Sequence, residues 1–296
     1  MLINPQSLRG IYVAFNTLFN KAFQEQKPIY EQIATVTPST TDTETYAWLG
    51  DIPGMREWIG DREIQNLSAA DYSIKNKDFE LTVGVPRNAI EDDKLGVYNP
   101  SVQMLGQSAA MHPDKLVFAL LGNGFEEKCY DGQPFFSASH KVGKKTVSNK
   151  GTAKLTMTAY IAARAAIMSL TNSKGEPLGL IPDTLVVPPA LEAAARDILI
   201  ADQINGTKNT MAGTAKPLVA PRLAGHDTAW YLLCTSMPLK PLIYQRRTAA
   251  KFVALTAETD MNVFMQKKFL YGVDYRGNTG YGFWQMAYGS DGTTAE

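Results

Sequence analysis

The sequence predicts an α+β protein with a projecting apolar arm. Three observations lead there. Apolar residues recur at helical spacing in the segments 4–23 and 99–121. Strand-type alternation marks Tyr72 to Val85 and the run from Met261 to Ser290. Between the first helix and the first long strand, YAWLGDIPGMREWIGDRE (Tyr46 to Glu63) sets Trp48, Ile52, Met55, Trp58 and Ile59 in a frame of glycine and proline. Gly50, Gly54 and Gly60 weaken any helix there and Pro53 removes a backbone donor, so the segment reads as an extended loop.

The chain order supports each element. Leu8, Ile11, Tyr12, Phe15, Leu18, Phe19 and Ala22 form one stripe of an amphipathic helix that needs a groove, with Arg9, Asn16, Asn20 and Lys21 on its wet face. TVTPSTTDTET (Thr35 to Thr45) is an extended connector, and Tyr72 to Val85, interrupted by the polar Lys75 to Asp78, is the return limb of a long hairpin. RNAIEDDKLG predicts a short acidic helix ending near Gly96. Asn99-Pro100 opens a long helix to about Leu121, in which Pro113 predicts a kink and which Gly122-Asn123-Gly124 stops. CYDGQPFFSASHKVG is turn-rich and precedes a lysine-rich loop.

A further helix is expected from Thr156 to Thr171. Then LGLIPDTLVVPP predicts a buried strand and ALEAAARDILIAD a helix that Pro188 and Pro189 can start. Strand-like runs LVAPRLAG, AWYLLCT, LIYQRRTA and KFVALTAE follow, giving a mixed unit from about Leu178 to Glu258. The C-terminal stretch is expected to turn at Gly277 to Gly280 and close as a hairpin.

Composition excludes several classes. With 29 basic and 29 acidic residues the chain lacks the positive field of a dedicated nucleic-acid binder, and its near-neutrality favours self-association. No run of about eighteen apolar residues occurs, and MLINPQSLRG lacks the pattern of a secretory signal, so synthesis and retention in a cytoplasm are expected. Cys129 and Cys234 form no CxxC pattern and read as reduced, buried thiols.

Chemistry-bearing patterns are sparse. His112, His140 and His226 are isolated, without the spacing that places metal ligands on one face, and no phosphate-binding loop or nucleophile elbow is present. Neither a cofactor nor a metal site is expected. Glu91-Asp92-Asp93 and Glu126-Glu127 read as solvated faces. Lys141, Lys144, Lys145, Lys150 and Lys154 could touch a polyanion, with Lys144 and Lys145 the DNA-facing candidates, although no aromatic residues interleave with them. A soluble enzyme using His140 with Asp131 or Cys129 is the alternative from another class.

The arm carries the functional expectation. Burying each indole removes roughly 150–250 Å² from water, worth on the order of 4–6 kcal/mol at most. Ordering the backbone of such a segment costs about 1–2 kcal/mol per residue. Side-chain burial alone cannot hold it, so it needs pairing with a neighbour, as in a subunit built to assemble.

FELTVGVPRNAIEDDKLG (Phe79 to Gly96), CYDGQPFFSASHKVG (Cys129 to Gly143) and KKFLYGVDYRGNTGYGFWQMAYGS (Lys267 to Ser290) resemble signatures of the Mu-like phage or prophage major head subunit. The order of elements likewise resembles the Hong Kong 97-type capsid fold. That resemblance implies an N-terminal arm (1–45), an extended E-loop (46–80), a peripheral domain with a spine helix (81–177), an axial domain (178–258) and C-terminal strands (259–296) returning to the peripheral domain. It implies pentamers and hexamers of an icosahedral tailed-phage head enclosing double-stranded DNA. Intersubunit contacts would come from Trp48, Ile52, Met55, Trp58 and Ile59 on the E-loop and from Leu8, Tyr12, Phe15 and Phe19 on the N-arm. Portal and scaffolding proteins are the expected partners, with a decoration protein a further one and no membrane. A helix starting almost at Met1 leaves no long charged prodomain, so a separate scaffolding protein is expected. No lysine to asparagine crosslink is predicted from Lys75 or Lys77. An encapsulin-like nanocompartment subunit is the structural alternative.

Overall fold

The computed structural model describes residues 3–47, 49, 72–92, 94–204 and 206–294. Helix α1 (Pro5–Glu25) starts where Asn4 accepts from the Ser7 N–H at 2.8 Å while Ser7 Oγ accepts from the Asn4 N–H at 3.0 Å. This reciprocal cap satisfies donors that the first turn leaves free, and Pro5 needs none. Strands β1 (Ala34–Pro38), β2 (Thr43–Thr45), β3 (Ser73–Lys75) and β4 (Lys77–Pro86) follow, then α2 (Arg87–Glu91) and the long α3 (Asn99–Gly122). Next come β5 (His140–Val142), β6 (Lys145–Val147), β7 (Lys150–Ala153) and α4 (Met157–Met168), the last capped by Thr156. After them lie β8 (Thr184–Val187), α5 (Glu192–Leu199), β9 (Gln203–Ile204), β10 (Thr207–Lys208), β11 (Lys216–Val219) and β12 (Trp230–Leu233). The chain ends in β13 (Leu242–Leu255), α6 (Met261–Gln266), β14 (Lys268–Tyr281) and β15 (Ala287–Thr294).

Two sheets organise these elements, a four-stranded one in the order β1-β13-β14-β4 and a five-stranded one in the order β11-β8-β12-β15-β7. Helix α3 serves both. Its first half gives Val102, Leu105 and Ala109 to a core with Phe15, Phe19, Phe252, Phe269 and Tyr271. Its second half gives Val117, Phe118 and Leu121 to a core with Phe135, Phe136, Leu185, Trp230 and Trp284. Pro113 lies buried inside this helix.

Several expectations change on contact with the tertiary structure. Residues Gly277 to Gly280 form no turn; they lie within β14, paired with β13 from Arg246 to Ile243. Those glycines answer crowding instead, since a Cβ at Gly277 would come within 2.6 Å of the Gln245 carbonyl oxygen and one at Gly280 would collide with the Ile74 side chain. LIYQRRTA and the first five residues of KFVALTAE lie on one strand, β13, and it pairs with β1 and β14 rather than with the strands of the segment 178–233. Of the two C-terminal strands, β14 pairs with β4, whereas β15 lies between β12 and β7 in the other sheet. The lysine-rich loop is a two-stranded hairpin of β5 and β6.

Candidate assembly interface

The groove that α1 requires is supplied by its own chain. Leu8, Phe15 and Phe19 are buried against α3 and the four-stranded sheet, with the Phe15 ring 5.0 Å from Tyr271 and Phe19 5.2 Å from Phe252. The half-buried Tyr12 donates its hydroxyl to the Phe252 carbonyl oxygen at 3.4 Å. The intersubunit role expected for Leu8, Phe15 and Phe19 is therefore corrected, because an apolar stripe already buried at about 1.5–3 kcal/mol per side chain has no free face to offer.

The base of the expected arm is also anchored at home. Strands β2 and β3 pair antiparallel from Thr43–Lys75 to Thr45–Ser73, and the Tyr46 N–H donates to the Tyr72 carbonyl oxygen at 2.8 Å. Tyr46 and Leu49 are buried, and the Tyr46 hydroxyl donates to Gln245 Oε1 at 2.9 Å. Within β2, Glu44 accepts from the Thr40 and Thr41 N–H groups at 2.7 and 3.1 Å and from Ser39 Oγ at 2.9 Å. These donors hold its carboxyl down at about 2. Residues 45 and 73 thus leave the sheet side by side. Trp48, Ile52, Met55, Trp58 and Ile59 lie outside the described residues.

An apolar surface missed by the sequence reading sits at the far end of β13 and β14. On the short α6, Met261, Phe264 and Met265 are 73%, 78% and 68% exposed, and Leu255 and Val253 on β13 add to the patch. Only Asn262 and Val263 of this helix turn inward, Asn262 donating to the Leu255 and Lys268 carbonyl oxygens at 3.1 and 2.7 Å. Large apolar groups on an exposed tip are the usual mark of a protein contact. The run MNVFM looked like strand in sequence, so the outward face could not be assigned. Beside it, a groove of about 920 Å³ runs between Ile3, Leu8 and Tyr12 of the N-terminal segment and Lys251 to Glu258.

The charged candidates divide. Lys144 and Lys145 are exposed on the β5–β6 hairpin, where Lys141 donates to Thr146 Oγ1 at 2.5 Å. Lys150 is engaged elsewhere, over the Phe125 ring at 5.5 Å. Glu91 pairs with Arg87 at 3.0 Å, Asp92 with Lys94 at 3.4 Å, and Glu127 accepts from Asn123 at 3.0 Å. Asp93 lies outside the described residues.

The three histidines are structurally engaged. His112 packs between Phe79 and Tyr275, and burial, then Lys115 and Arg222, lower its pKa. His226 rests over Gly122 at the end of α3. His140 is fully buried and stacks on Trp284 at 4.0 Å, with Nδ1 2.6 Å from Asp131 Oδ2. Cys129 donates to Asp131 Oδ1 at 3.2 Å, so the chain does bring together the three residues of the enzyme alternative. Burial, reinforced by the Asp131 charge, pushes the Cys129 thiol far up. At Asp131 burial opposes ionisation, but hydrogen bonds from His140 and the Gln133 N–H hold the carboxyl below its usual range. A protonated, buried thiol is a poor nucleophile.

A helix shared by two cores, the paired strands β2 and β3 and an exposed apolar tip on α6 define a structural protein with the α+β fold of tailed-phage capsid subunits. A chain of the procapsid of bacteriophage JBD30 matches at 38% identity and a TM-score of 0.62, covering 97% of this chain and 76% of that one. The chain belongs to the family of the Mu-like prophage major head subunit gpT, whose model matches residues 8–154, 147–223 and 217–296. It is 35% identical to the Mu-like prophage FluMu major head subunit of Haemophilus influenzae, covering 99% of this chain and 76% of that protein. It is 34% identical to the major capsid protein of Escherichia phage Mu, covering 97% and 74%.

Proposed function

We propose that the chain is the repeated subunit of an icosahedral tailed-phage head, assembling with copies of itself into pentamers and hexamers around double-stranded DNA. The similarity to a procapsid chain over 97% of the sequence carries this reading. In it, the segment after Tyr46 reaches an adjoining copy from its β2–β3 base, with Trp48, Ile52, Met55, Trp58 and Ile59 as the contact residues. The four-stranded sheet and the first half of α3 form the peripheral unit, and the five-stranded sheet the axial unit. Lys144 and Lys145 face the packaged DNA by non-specific charge. Portal and scaffolding proteins complete the assembly inside the host cytoplasm, and a decoration protein is a further candidate partner.

The uncovered Met261, Phe264 and Met265 support a second contact at the α6 tip, since a lone subunit would leave them in water. Electron microscopy of purified protein tests both contacts. The unaltered chain forms closed shells; Trp58→Ala and Phe264→Ser lower the shell yield while the circular dichroism and unfolding midpoint of unassembled subunits stay unchanged. Shells formed in full by both variants, or equal destabilisation of the unassembled chain, would overturn the assignment of these contacts. A chain that remains monomeric at high concentration would overturn the shell reading itself.

A further inference from the structure

The loop between α3 and β5 folds Cys129, Asp131 and His140 into a cluster whose Sγ, carboxylate oxygen and ring nitrogen all lie within 4.8 Å of one another. Backbone bonds shape the loop, and Asp131 Oδ1 also accepts from the Gln133 N–H at 3.0 Å. The Cys129 N–H donates to the Gln133 carbonyl oxygen at 2.8 Å, the Gly132 N–H donates to the Cys129 carbonyl oxygen at 3.0 Å, and Gly132 takes the φ of +78° that this turn demands.

Both nitrogens of His140 face acceptors. Nδ1 lies 2.6 Å from Asp131 Oδ2, and Nε2 lies 3.3 Å from the Phe135 carbonyl oxygen. A neutral imidazole carries one N–H, so it leaves a lone pair pointing at an oxygen on one side or the other. Rotation offers little escape, because the ring is fully buried and lies flat on the Trp284 indole at 4°. A cation between Nδ1, Asp131 and Cys129 removes the conflict: Nε2–H then donates to Phe135, and the Nδ1 lone pair, the carboxylate and the sulfur all point at positive charge. A backbone carbonyl that fixes the far nitrogen of the ring is the usual support of a ligating histidine. Here that carbonyl is itself fixed by Asn149 Nδ2 at 2.8 Å.

We propose that Cys129, Asp131 and His140 form a binding site for one transition-metal dication, with zinc the favoured ion. Sulfur with imidazole and carboxylate selects zinc over magnesium or calcium, which take oxygen ligands. Tetrahedral bonds of about 2.0–2.3 Å separate ligand atoms by roughly 3.3–3.8 Å. The 2.6 Å and 3.2 Å contacts, made to different oxygens of Asp131, open slightly as the ion enters, and the wider separations, which reach no more than 4.8 Å, close. Binding releases the Cys129 thiol proton to solvent, while the neutral His140 ring carries its single N–H on Nε2. Asp131, whose side chain is 19% exposed, marks the open side, where a water completes the set. Through the stacking of His140 the site also ties the loop to Trp284 between β14 and β15.

Cobalt(II) and zinc titration of the full-length chain tests this. The protein takes up about one cobalt per chain with a sulfur-to-metal absorption band in the near ultraviolet, and zinc displaces it. Cys129→Ser keeps a hydroxyl donor toward Asp131 and so the fold, verified by circular dichroism, but loses the band. Asp131→Asn lowers the affinity at least tenfold. Absence of cobalt uptake, or a band that survives in Cys129→Ser, overturns the proposal in favour of a metal-free hydrogen-bonded pair between His140 and Asp131.

Discussion

Gly106 brings α3 into direct contact with the backbone of α1: a Cβ at this position would stand 2.5 Å from the Phe19 carbonyl oxygen and 3.2 Å from the Ala22 side chain. The close approach lets Phe19 and Phe15 reach the sheet beyond, and it makes the N-terminal helix part of the core of its own chain. Gly106→Val must push α1 away, because backbone cannot swing aside as a side chain can. Loss of about 1–3 kcal/mol is expected, measured as a lower denaturant midpoint of unassembled subunits. An unchanged midpoint would show that α1 is free of α3 in solution.

Gln245 ties both limbs of the β2–β3 pair to the four-stranded sheet. Fully buried, it accepts from the Tyr46 hydroxyl at 2.9 Å and donates to the Ile74 carbonyl oxygen at 3.1 Å and to Asn76 Oδ1 at 2.8 Å. Gln245→Leu fits the space but removes the shared partner of both limbs. Destabilisation of about 1–3 kcal/mol is expected, together with faster proteolysis between residues 46 and 72. Wild-type proteolysis rates in this variant would mean that the limbs are held by other contacts.

Acid should loosen the same region through Glu44. Its carboxyl falls from 4.5 to about 2 on folding, owing to the Thr40 and Thr41 N–H groups and then Ser39. A depressed folded value contributes stability that is complete above the ordinary carboxylate range and disappears as pH falls toward 2. In Glu44→Gln the loss of stability between pH 4.5 and 2 should be smaller than in the unaltered chain, in denaturant titrations at constant ionic strength. Parallel profiles would contradict it.

Charge reversal of the exposed hairpin lysines, Lys144→Glu with Lys145→Glu, should leave the unfolding midpoint within about 0.5 kcal/mol of the original, as expected for surface positions. Retention of DNA by assembled particles should fall, with a weaker dependence on salt. Unchanged retention and salt dependence would place the hairpin away from the nucleic acid.

Helices were the most legible part of the chain. The stripe from Leu8 to Ala22, the Asn99-Pro100 start and the alanine-rich run after Thr156 are local signals, and α1, α3 and α4 lie where those signals put them. Strand partners were less so. Gly277 to Gly280 has the composition of a turn, yet its glycines make room for Gln245 and Ile74 across the sheet. A glycine needed for conformation and a glycine needed for closeness look the same in one dimension.

By itself the sequence determined the α+β class, the family, the long central helix and the apolar character of the segment after Tyr46, because periodicity, caps and contiguous motifs are properties of neighbouring residues. Tertiary structure alone decided that α1 buries its stripe at home, that β14 and β15 part into different sheets, that α6 turns Phe264 outward, and that Cys129, Asp131 and His140 converge. Those outcomes depend on which distant surfaces meet. That choice is made by the packing of the whole chain, where hydrophobic burial and backbone pairing are satisfied together.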